Sequence, residues 1–202
     1  MLLAKQGVDV NQAKNTGCAP LFVASEKGHS EVVSMLLAKQ GVDVNQAMNT
    51  GSAPLLIASQ NGHSEVVSVL LAKQGVDVNQ ATNNGCTPLY VASEEGHSEV
   101  VSILLAKQGV DVNQARGNGC TPLYVASEKG HSEVVSLLLA KQGVDVNQAT
   151  NNGATPLYVA IEQRHPEVVS LLLAKQDVDV NQAWKRSERH LVTPLGGIDA
   201  AG

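Results

Sequence analysis

The chain of 202 residues repeats itself with a period of 34 residues, and this period limits its fold more than any other feature. The string Gly-His-Ser-Glu-Val-Val-Ser begins at Gly28, Gly62, Gly96 and Gly130, and a degenerate copy begins at Arg164. A fixed period of this length is typical of a solenoid, in which each unit buries its apolar face against its neighbours. Such a stack presents an extended surface rather than one unique pocket, which favours binding over catalysis.

The repeat assigns residues 1–183 to a single array. Residues 1–13 match the back half of a unit, and residues 184–202 leave the pattern and are interpreted as a C-terminal tail, either a frayed end or a degenerate cap. Because the array begins with a half unit, we expect an open N-terminal end that supports weak end-to-end self-association, opposed at the other end by Arg164, Asp177 and the charged tail. The full units are 14–47, 48–81, 82–115, 116–149 and 150–183.

Each unit is predicted to hold two helices. Thr87 and Pro88 are typical of a helix start, because threonine is a good N-cap and proline suits the first helical position. Gly96 favours a left-handed end to this first helix, and His97 lies at or beside the N-cap of the second. The second helix carries a broad apolar stripe over residues 100–105, followed by Lys107 in its last turn.

A short extended segment follows each second helix. Residues 110–115 alternate in polarity and lead into a turn of the type Asn152-Gly153, which is a strong tight-turn pattern. The sequence therefore predicts that a hairpin-like finger projects from each pair of helices.

Three segments of each unit resemble the ankyrin repeat. In one unit they are residues 85–92 (Gly-Cys-Thr-Pro-Leu-Tyr-Val-Ala), 96–101 (Gly-His-Ser-Glu-Val-Val) and 111–113 (Asp-Val-Asn). The resemblance covers residues 1–183 and implies an all-α solenoid of stacked helix-turn-helix units with projecting β-hairpin-like fingers. Two features depart from the family pattern. The period is 34 residues where the family has 33, and the family's Thr-Pro-Leu-His becomes Thr-Pro-Leu-Tyr at Tyr90, Tyr124 and Tyr158.

Composition argues against several classes of partner. A formal net charge of −5 disfavours a nucleic-acid binder, which needs a basic surface to neutralise phosphates. No apolar run reaches the roughly 18 to 20 residues that span a membrane, and no secretory signal is visible. The cysteines Cys18, Cys86 and Cys120 share one position in different units, too far apart to pair if neighbouring helices lie about 8 to 10 Å apart. The sequence thus favours a reducing, cytoplasmic location.

The same spacing argues against a metal site, a cofactor and an active site. One histidine per unit cannot surround a zinc ion, whose ligands lie about 2.0 to 2.3 Å away, so a helix-start role is predicted for these histidines. The acidic pair Glu94 and Glu95 has no accompanying nucleophile or unique pocket, and the glycines do not form a phosphate-binding loop. We therefore predict a protein that is not an enzyme and needs no metal or cofactor. The histidines are His29, His63, His97, His131 and His165.

Asn113 allows two interpretations. The stretch from Leu105 to Asn113 resembles the segment that asparaginyl hydroxylases modify in ankyrin proteins, with Asn113 as the acceptor. Alternatively, the Asn113 side chain braces the finger through hydrogen bonds to the backbone. The second interpretation is favoured.

Differences between the units are concentrated at four positions. One second-helix position also varies, but only among apolar residues (Met35, Val69, Ile103, Leu137, Leu171), and is interpreted as a core position. The resemblance implies that the four positions lie on the concave, finger-bearing side, where partners dock. Exposed second-helix positions such as Ser102, Lys107 and Gln108 do not vary, which argues against uniform drift. The candidate partner-binding residues are Lys14, Cys18, Glu26, Lys27, Met48, Ser52, Gln60, Asn61, Thr82, Cys86, Glu94, Glu95, Arg116, Cys120, Glu128, Lys129, Thr150, Ala154, Glu162 and Gln163.

Two hypotheses on function follow. The first is a non-enzymatic protein–protein interaction module that binds a partner protein along its concave face. The second is a structural spacer, either a fragment of a longer array or a consensus-like engineered scaffold, with no partner of its own. The near identity of the units is compatible with both.

Overall fold

A computed structural model describes residues 9–182, and in this range the chain forms ten helices and no β-strand. The helices come in five pairs. The first helices of the pairs are α1 (Pro20–Glu26), α3 (Pro54–Gln60), α5 (Pro88–Glu95), α7 (Pro122–Lys129) and α9 (Pro156–Glu162). The second helices are α2 (Ser30–Leu37), α4 (Ser64–Ala72), α6 (Ser98–Ala106), α8 (Ser132–Ala140) and α10 (Pro166–Leu173).

The pairs stack in register. Each first helix packs against the next first helix, and each second helix packs against the next second helix, so the fold has two layers. The main hydrophobic core lies between the layers and runs continuously from Leu21 to Leu172. In α6, for example, Val100, Val101 and Leu104 are almost completely buried. The stacked, all-helical architecture predicted from the period is therefore confirmed.

The helix ends follow the predicted local rules. The Thr87 side chain accepts a hydrogen bond of 3.1 Å from the Tyr90 backbone N–H, and Thr121 and Thr155 cap α7 and α9 in the same way. Ala19 and Ala53 occupy this position in the first two units and provide no side-chain cap. The five histidines are the N-cap residues of the second helices, as predicted, although their side chains do not cap.

Two details of the second helices differ from the sequence prediction. Helix α6 ends at Ala106, so Lys107 is the first residue beyond the last turn, and its Nζ donates a 2.7 Å hydrogen bond to the carbonyl of Leu71 in the preceding unit. The variable apolar position is not a buried core position: Ile103 packs half-buried at the edge of the core, and Met35 is 56% exposed. A half-buried position tolerates different apolar side chains because part of each faces solvent.

Arg164 occupies the position that glycine holds in the other units. Its φ of 61° is the one left-handed conformation of a non-glycine residue in the described chain. In earlier units a Cβ at this position would strike the next histidine, at 2.8 Å for Gly96 and His131. No such ring follows Arg164 within residues 9–182, so its Cβ is accommodated, at a conformational cost of about 1 kcal/mol.

Candidate functional site

The fingers bring two of the four variable positions into direct contact. Each finger is a tight turn in which the first residue donates its N–H to the carbonyl of the fifth, as in the 2.9 Å bond from Met48 to Ser52. A glycine in the fourth position has a positive φ and closes the turn, as Gly51 does by donating to Met48 O at 2.8 Å. The glycine thus ends the turn instead of lying at its centre. The finger turns are residues 14–18, 48–52, 82–86, 116–120 and 150–154.

The third and fourth units form a continuous patch, which we call the central patch, from Cys86, Tyr90, Glu94, Arg116, Cys120 and Glu128. Tyr90 lies on α5, and its phenol bonds to the Arg116 guanidinium on the following finger. Cys86 and Cys120 pack beside Tyr90 against an apolar cluster that contains Leu56. The central patch therefore joins fingers and first helices of two neighbouring units.

The electrostatics of the central patch follow from burial, because Tyr90 is buried and Cys120 is half-buried. Burial raises the pKa of Tyr90 to about 12, while the hydrogen bond from Arg116 acts in the opposite direction. Burial, followed by the charge of Glu128, also raises the pKa of the Cys120 thiol. At neutral pH the patch thus contains a buried, neutral phenol and the protonated thiol of Cys120 beside the Arg116 guanidinium.

The candidate residues, those of the central patch included, differ in accessibility. Lys27 forms an ion pair with Glu26 at 3.4 Å, but exposed pairs of this kind contribute little to stability. The half-buried candidates are Cys18, Glu26, Met48, Ser52, Thr82, Cys86, Glu94, Arg116, Cys120 and Glu128. The exposed candidates are Lys14, Lys27, Gln60, Asn61, Glu95, Lys129, Glu162 and Gln163.

Three candidate residues have a structural task or location that limits their availability to a partner. Thr150 and Ala154 are buried at the fifth finger, and Ala154 packs against Tyr124 and Val159. Asn61 is exposed, but its Nδ2 donates a 2.9 Å hydrogen bond to the carbonyl of Glu26 in the preceding unit. Thr150 and Ala154 are therefore removed from the surface that a partner would contact.

The recurring histidines connect successive units. Nε2 of His63, His97, His131 and His165 lies 3.0 to 3.1 Å from a carbonyl oxygen at the end of the preceding first helix. A carbonyl only accepts, so Nε2 carries the proton in each pair. The sequence identified the helix-start position of these residues but not this link. Among residues 9–182, no three His, Cys, Asp or Glu side chains are placed to hold a metal ion.

Asn113 is also engaged between units. Its Nδ2 donates to the carbonyl of Gly143 at 2.7 Å, and its Oδ1 accepts from the Asp145 N–H at 2.9 Å. Equivalent pairs of bonds link Asn45 to Gly75 and Asp77. The asparagine therefore braces the next unit, not its own finger as the favoured interpretation stated, and this brace accounts for asparagine at that position wherever another described unit follows.

The invariant lysines at the ends of the second helices bond to the preceding unit. Lys73, Lys107 and Lys141 each donate to a carbonyl of the preceding unit at 2.6 to 2.7 Å. Because this bond constrains lysine, its lack of variation says nothing about drift on a free surface. Ser102 and Gln108 are exposed, and neither side chain is hydrogen-bonded to residues 9–182, so they still serve that comparison.

Sequence reasoning missed two features of the site. The repeat pattern gives no sign that the Tyr90 phenol bonds to Arg116. Gly117 occupies a finger position that holds asparagine in the other four fingers, and this exception was visible in the sequence. Its consequence depends on how adjacent fingers contact each other, which the repeat pattern does not reveal. Within the described residues no helix has the length and apolar character needed to cross a bilayer.

Comparisons with known proteins agree with this architecture. A family model for ankyrin repeats in three copies matches residues 40–116 and 105–183, and a model for a single ankyrin repeat matches residues 16–49. Among solved structures, the crystal structure of EF0377, an ankyrin repeat protein, is similar, with a TM-score of 0.80 and 25% sequence identity over 86% of this chain and 88% of that chain. Because 524 chains of solved structures match, the likeness does not point to one partner. No curated protein matches the chain.

Proposed function

The chain belongs to the ankyrin repeat family, whose members are generally protein–protein interaction modules, and on this premise we propose that it binds a partner protein along its fingers and first helices. The central patch is the observation that supports this proposal. Variable residues from two units lie there around Arg116, a residue type enriched where binding energy is concentrated, and the buried Tyr90 holds Arg116 in place from below. We infer that the second helices support this face and that the protein acts without catalysis in a cytoplasmic setting.

The tightly closed finger turns favour binding with little rearrangement. Each turn is held by its own backbone bonds and by bonds to the neighbouring finger, such as Asn83 N to Thr50 O at 3.1 Å. A surface that is already ordered loses less conformational entropy when a partner docks. A spacer without a partner has no need for different side chains on the fingers, whereas an interaction module does.

The test exchanges exposed and half-buried variable residues, at three of the four variable positions, for the commonest residue at each position. The variant leaves out Asn61, whose side chain bonds to the preceding unit, and the position of Ala154, which is buried. It leaves the formal net charge unchanged, so a general electrostatic effect is excluded. We call it the levelled variant, and it carries Lys14→Thr, Met48→Thr, Gln60→Glu, Glu95→Lys, Arg116→Thr and Gln163→Lys.

The natural chain and the levelled variant are each used to capture proteins from the same native lysate. A protein that the natural chain alone retains is purified, and its affinity for both chains is measured by calorimetry. We expect at least a tenfold weaker affinity for the levelled variant at unchanged thermal stability. A partner that binds both chains equally would contradict the proposed face, and the absence of any specific partner would favour the spacer.

A second candidate function is end-to-end association of two chains. Val32 and Met35 on α2 are 42% and 56% exposed. Among the described residues before α1, 9–19, no helix covers this face of α2. The opposite end is also more apolar than Arg164 and Asp177 suggested, because Ile161 and Leu173 are about half exposed. Adding a complete polar unit before Met1 is expected to abolish concentration-dependent dimers in light scattering, and a natural chain that stays monomeric at high concentration would contradict this association.

A further inference from the structure

Adjacent fingers are joined by a repeated pair of hydrogen bonds. The second residue of a finger donates its backbone N–H to the third residue of the preceding finger, as from Asn83 to Thr50 O at 3.1 Å. The side chain of that same asparagine donates through Nδ2 to the second residue of the preceding finger, as from Asn83 to Asn49 O at 3.1 Å. The side-chain bond recurs from Asn49 to Asn15 O and from Asn151 to Gly117 O, each at 3.1 Å.

The fourth finger interrupts this pattern. Gly117 keeps the backbone bond, donating to Asn84 O at 3.2 Å, but it has no side chain to make the second bond. As a result, the Asn83 carbonyl accepts no hydrogen bond from any residue between 9 and 182. In each other finger that is followed by a described finger, the carbonyl of the second residue accepts a hydrogen bond from the next finger's asparagine.

The missing side chain leaves open space above Gly85. A Cβ added to Gly51 or Gly119 would lie within 2.8 Å of the asparagine of the next finger, which fills the same space there. A Cβ on Gly85 would meet nothing nearer than Gly117 N, at 3.2 Å. The result is an open cavity of about 620 Å³, which we call the finger notch, lined by Asn83, Asn84, Gly85, Arg116, Gly117 and Asn118.

The finger notch presents both acceptors and donors. The exposed carbonyl of Asn83 lacks the donor that the next finger supplies elsewhere, while the Asn84 side-chain amide and the Asn118 Nδ2 donate to no residue in the described range. Arg116 is among the residues that line the notch, and its positive charge disfavours a second cation there. A carboxylate has no proton to give to the Asn83 carbonyl. A neutral group that both donates and accepts fits these requirements.

We propose that the finger notch binds the carboxamide of an asparagine or glutamine side chain from the partner protein. The amide nitrogen donates to Asn83 O, as the asparagine side chains do at the other fingers, and the amide oxygen accepts from Asn84 or Asn118. The free space accommodates the adjoining peptide segment of the partner. This inference rests on the proposed function, because it places a specificity-determining contact within the same finger-bearing face.

Gly117→Asn tests the proposal because it fills the notch with the chain's own asparagine. The φ of Gly117 is not in the left-handed region, so asparagine is accommodated without backbone strain. Asn151→Gly is the matched control, since it opens an equivalent space at the next finger and leaves the native notch intact.

A library of random linear peptides is displayed on phage and selected on the natural chain. The levelled variant, Gly117→Asn and Asn151→Gly are used as comparisons. We expect enriched peptides to share an asparagine or glutamine. Their affinity is expected to fall at least tenfold on Gly117→Asn, to remain on Asn151→Gly, and to fall equally when the peptide's amide residue becomes aspartate.

A selection that yields no peptide able to distinguish the natural chain from Gly117→Asn overturns the finger notch. Peptides that bind Gly117→Asn normally but fail on the levelled variant would overturn the notch and leave the proposed face standing. Peptides that bind the natural chain, Gly117→Asn and the levelled variant equally would overturn both the finger notch and the proposed face.

Discussion

Nε2 of His131 lies 3.1 Å from the carbonyl oxygen of Glu94, and this contact joins the fourth unit to the third. The ring also covers Gly96, whose position admits no Cβ without a shift of the imidazole. We expect His131→Ala to lower the free energy of unfolding by about 1 to 2 kcal/mol through the lost hydrogen bond and packing. Urea unfolding measures the effect. His29→Ala is the control, because the His29 ring is exposed and makes no hydrogen bond to residues 9–182, and an equal loss there would contradict the account.

Two glycines with left-handed backbones are expected to respond differently to alanine. Gly109→Ala faces open space and costs only the conformational penalty, about 1 to 2 kcal/mol. Gly96→Ala adds a collision at 2.8 Å with the His131 ring and is expected to cost clearly more. The double variant with His131→Ala relieves that collision, so the two effects are not additive. Equal losses at both glycines, by the same urea measurement, would show that the ring yields freely.

The missing threonine caps predict a gain in stability. Ala53→Thr places a hydroxyl at the start of α3, where the equivalent Thr87 accepts from a backbone N–H, and is expected to add about 1 kcal/mol. Thermal and urea unfolding measure the gain, and Thr87→Ala is the matched reverse change.

Hydrogen exchange of the natural chain is expected to be faster in residues 9–47 than in residues 82–149. Uniform protection would show that the array unfolds as one block.

The phenol of Tyr90 links the central patch to pH. Its pKa in the folded chain is about 12, above the ordinary value of 10.0, because burial disfavours the phenolate. The unfolded chain therefore loses this proton first, so the contribution of Tyr90 to stability is complete below pH 10 and declines as the pH rises toward 12. Phenolate absorbance, taken as the difference between the natural chain and Tyr90→Phe, measures the pKa.

Arg116 provides the control for this titration. Its guanidinium lowers the pKa of Tyr90, so Arg116→Gln is expected to shift the phenolate transition to higher pH. Lys14→Gln, on the finger three repeats before that of Arg116, is expected to leave the transition unchanged. A transition that does not move on Arg116→Gln would show that the two side chains are not in contact.

The sequence predicted the local features of this fold better than the contacts between units. Thr87, Pro88 and Gly96 specify helix ends through interactions within a few residues, and the structure has those ends. The bond from His131 to Glu94 joins residues 37 apart, so it depends on the stacking geometry. The lysine at 107 shows the same limit, because its bond to Leu71 exists only once the units are stacked.

The candidate site shows a similar division. Variation between units drew attention to Arg116 and Cys120 without structural information, and the structure places both in one patch. Variation alone did not separate buried positions such as Ala154 from exposed ones, because a small residue at one position gives no sign of its accessibility. Gly117 is conspicuous in the sequence, but its importance follows from the Asn83 carbonyl that it leaves without a donor.

A hydrogen-exchange footprint of the complex tests the central claim most directly. The partner identified with the natural chain is added at saturating concentration, and amide exchange is compared with that of the free chain. We predict slower exchange in the fingers and first helices of residues 82–95 and 116–129, with α6 and α8 exchanging as in the free chain. Protection confined to the outer surfaces of α6 and α8, with the fingers unchanged, would contradict the account.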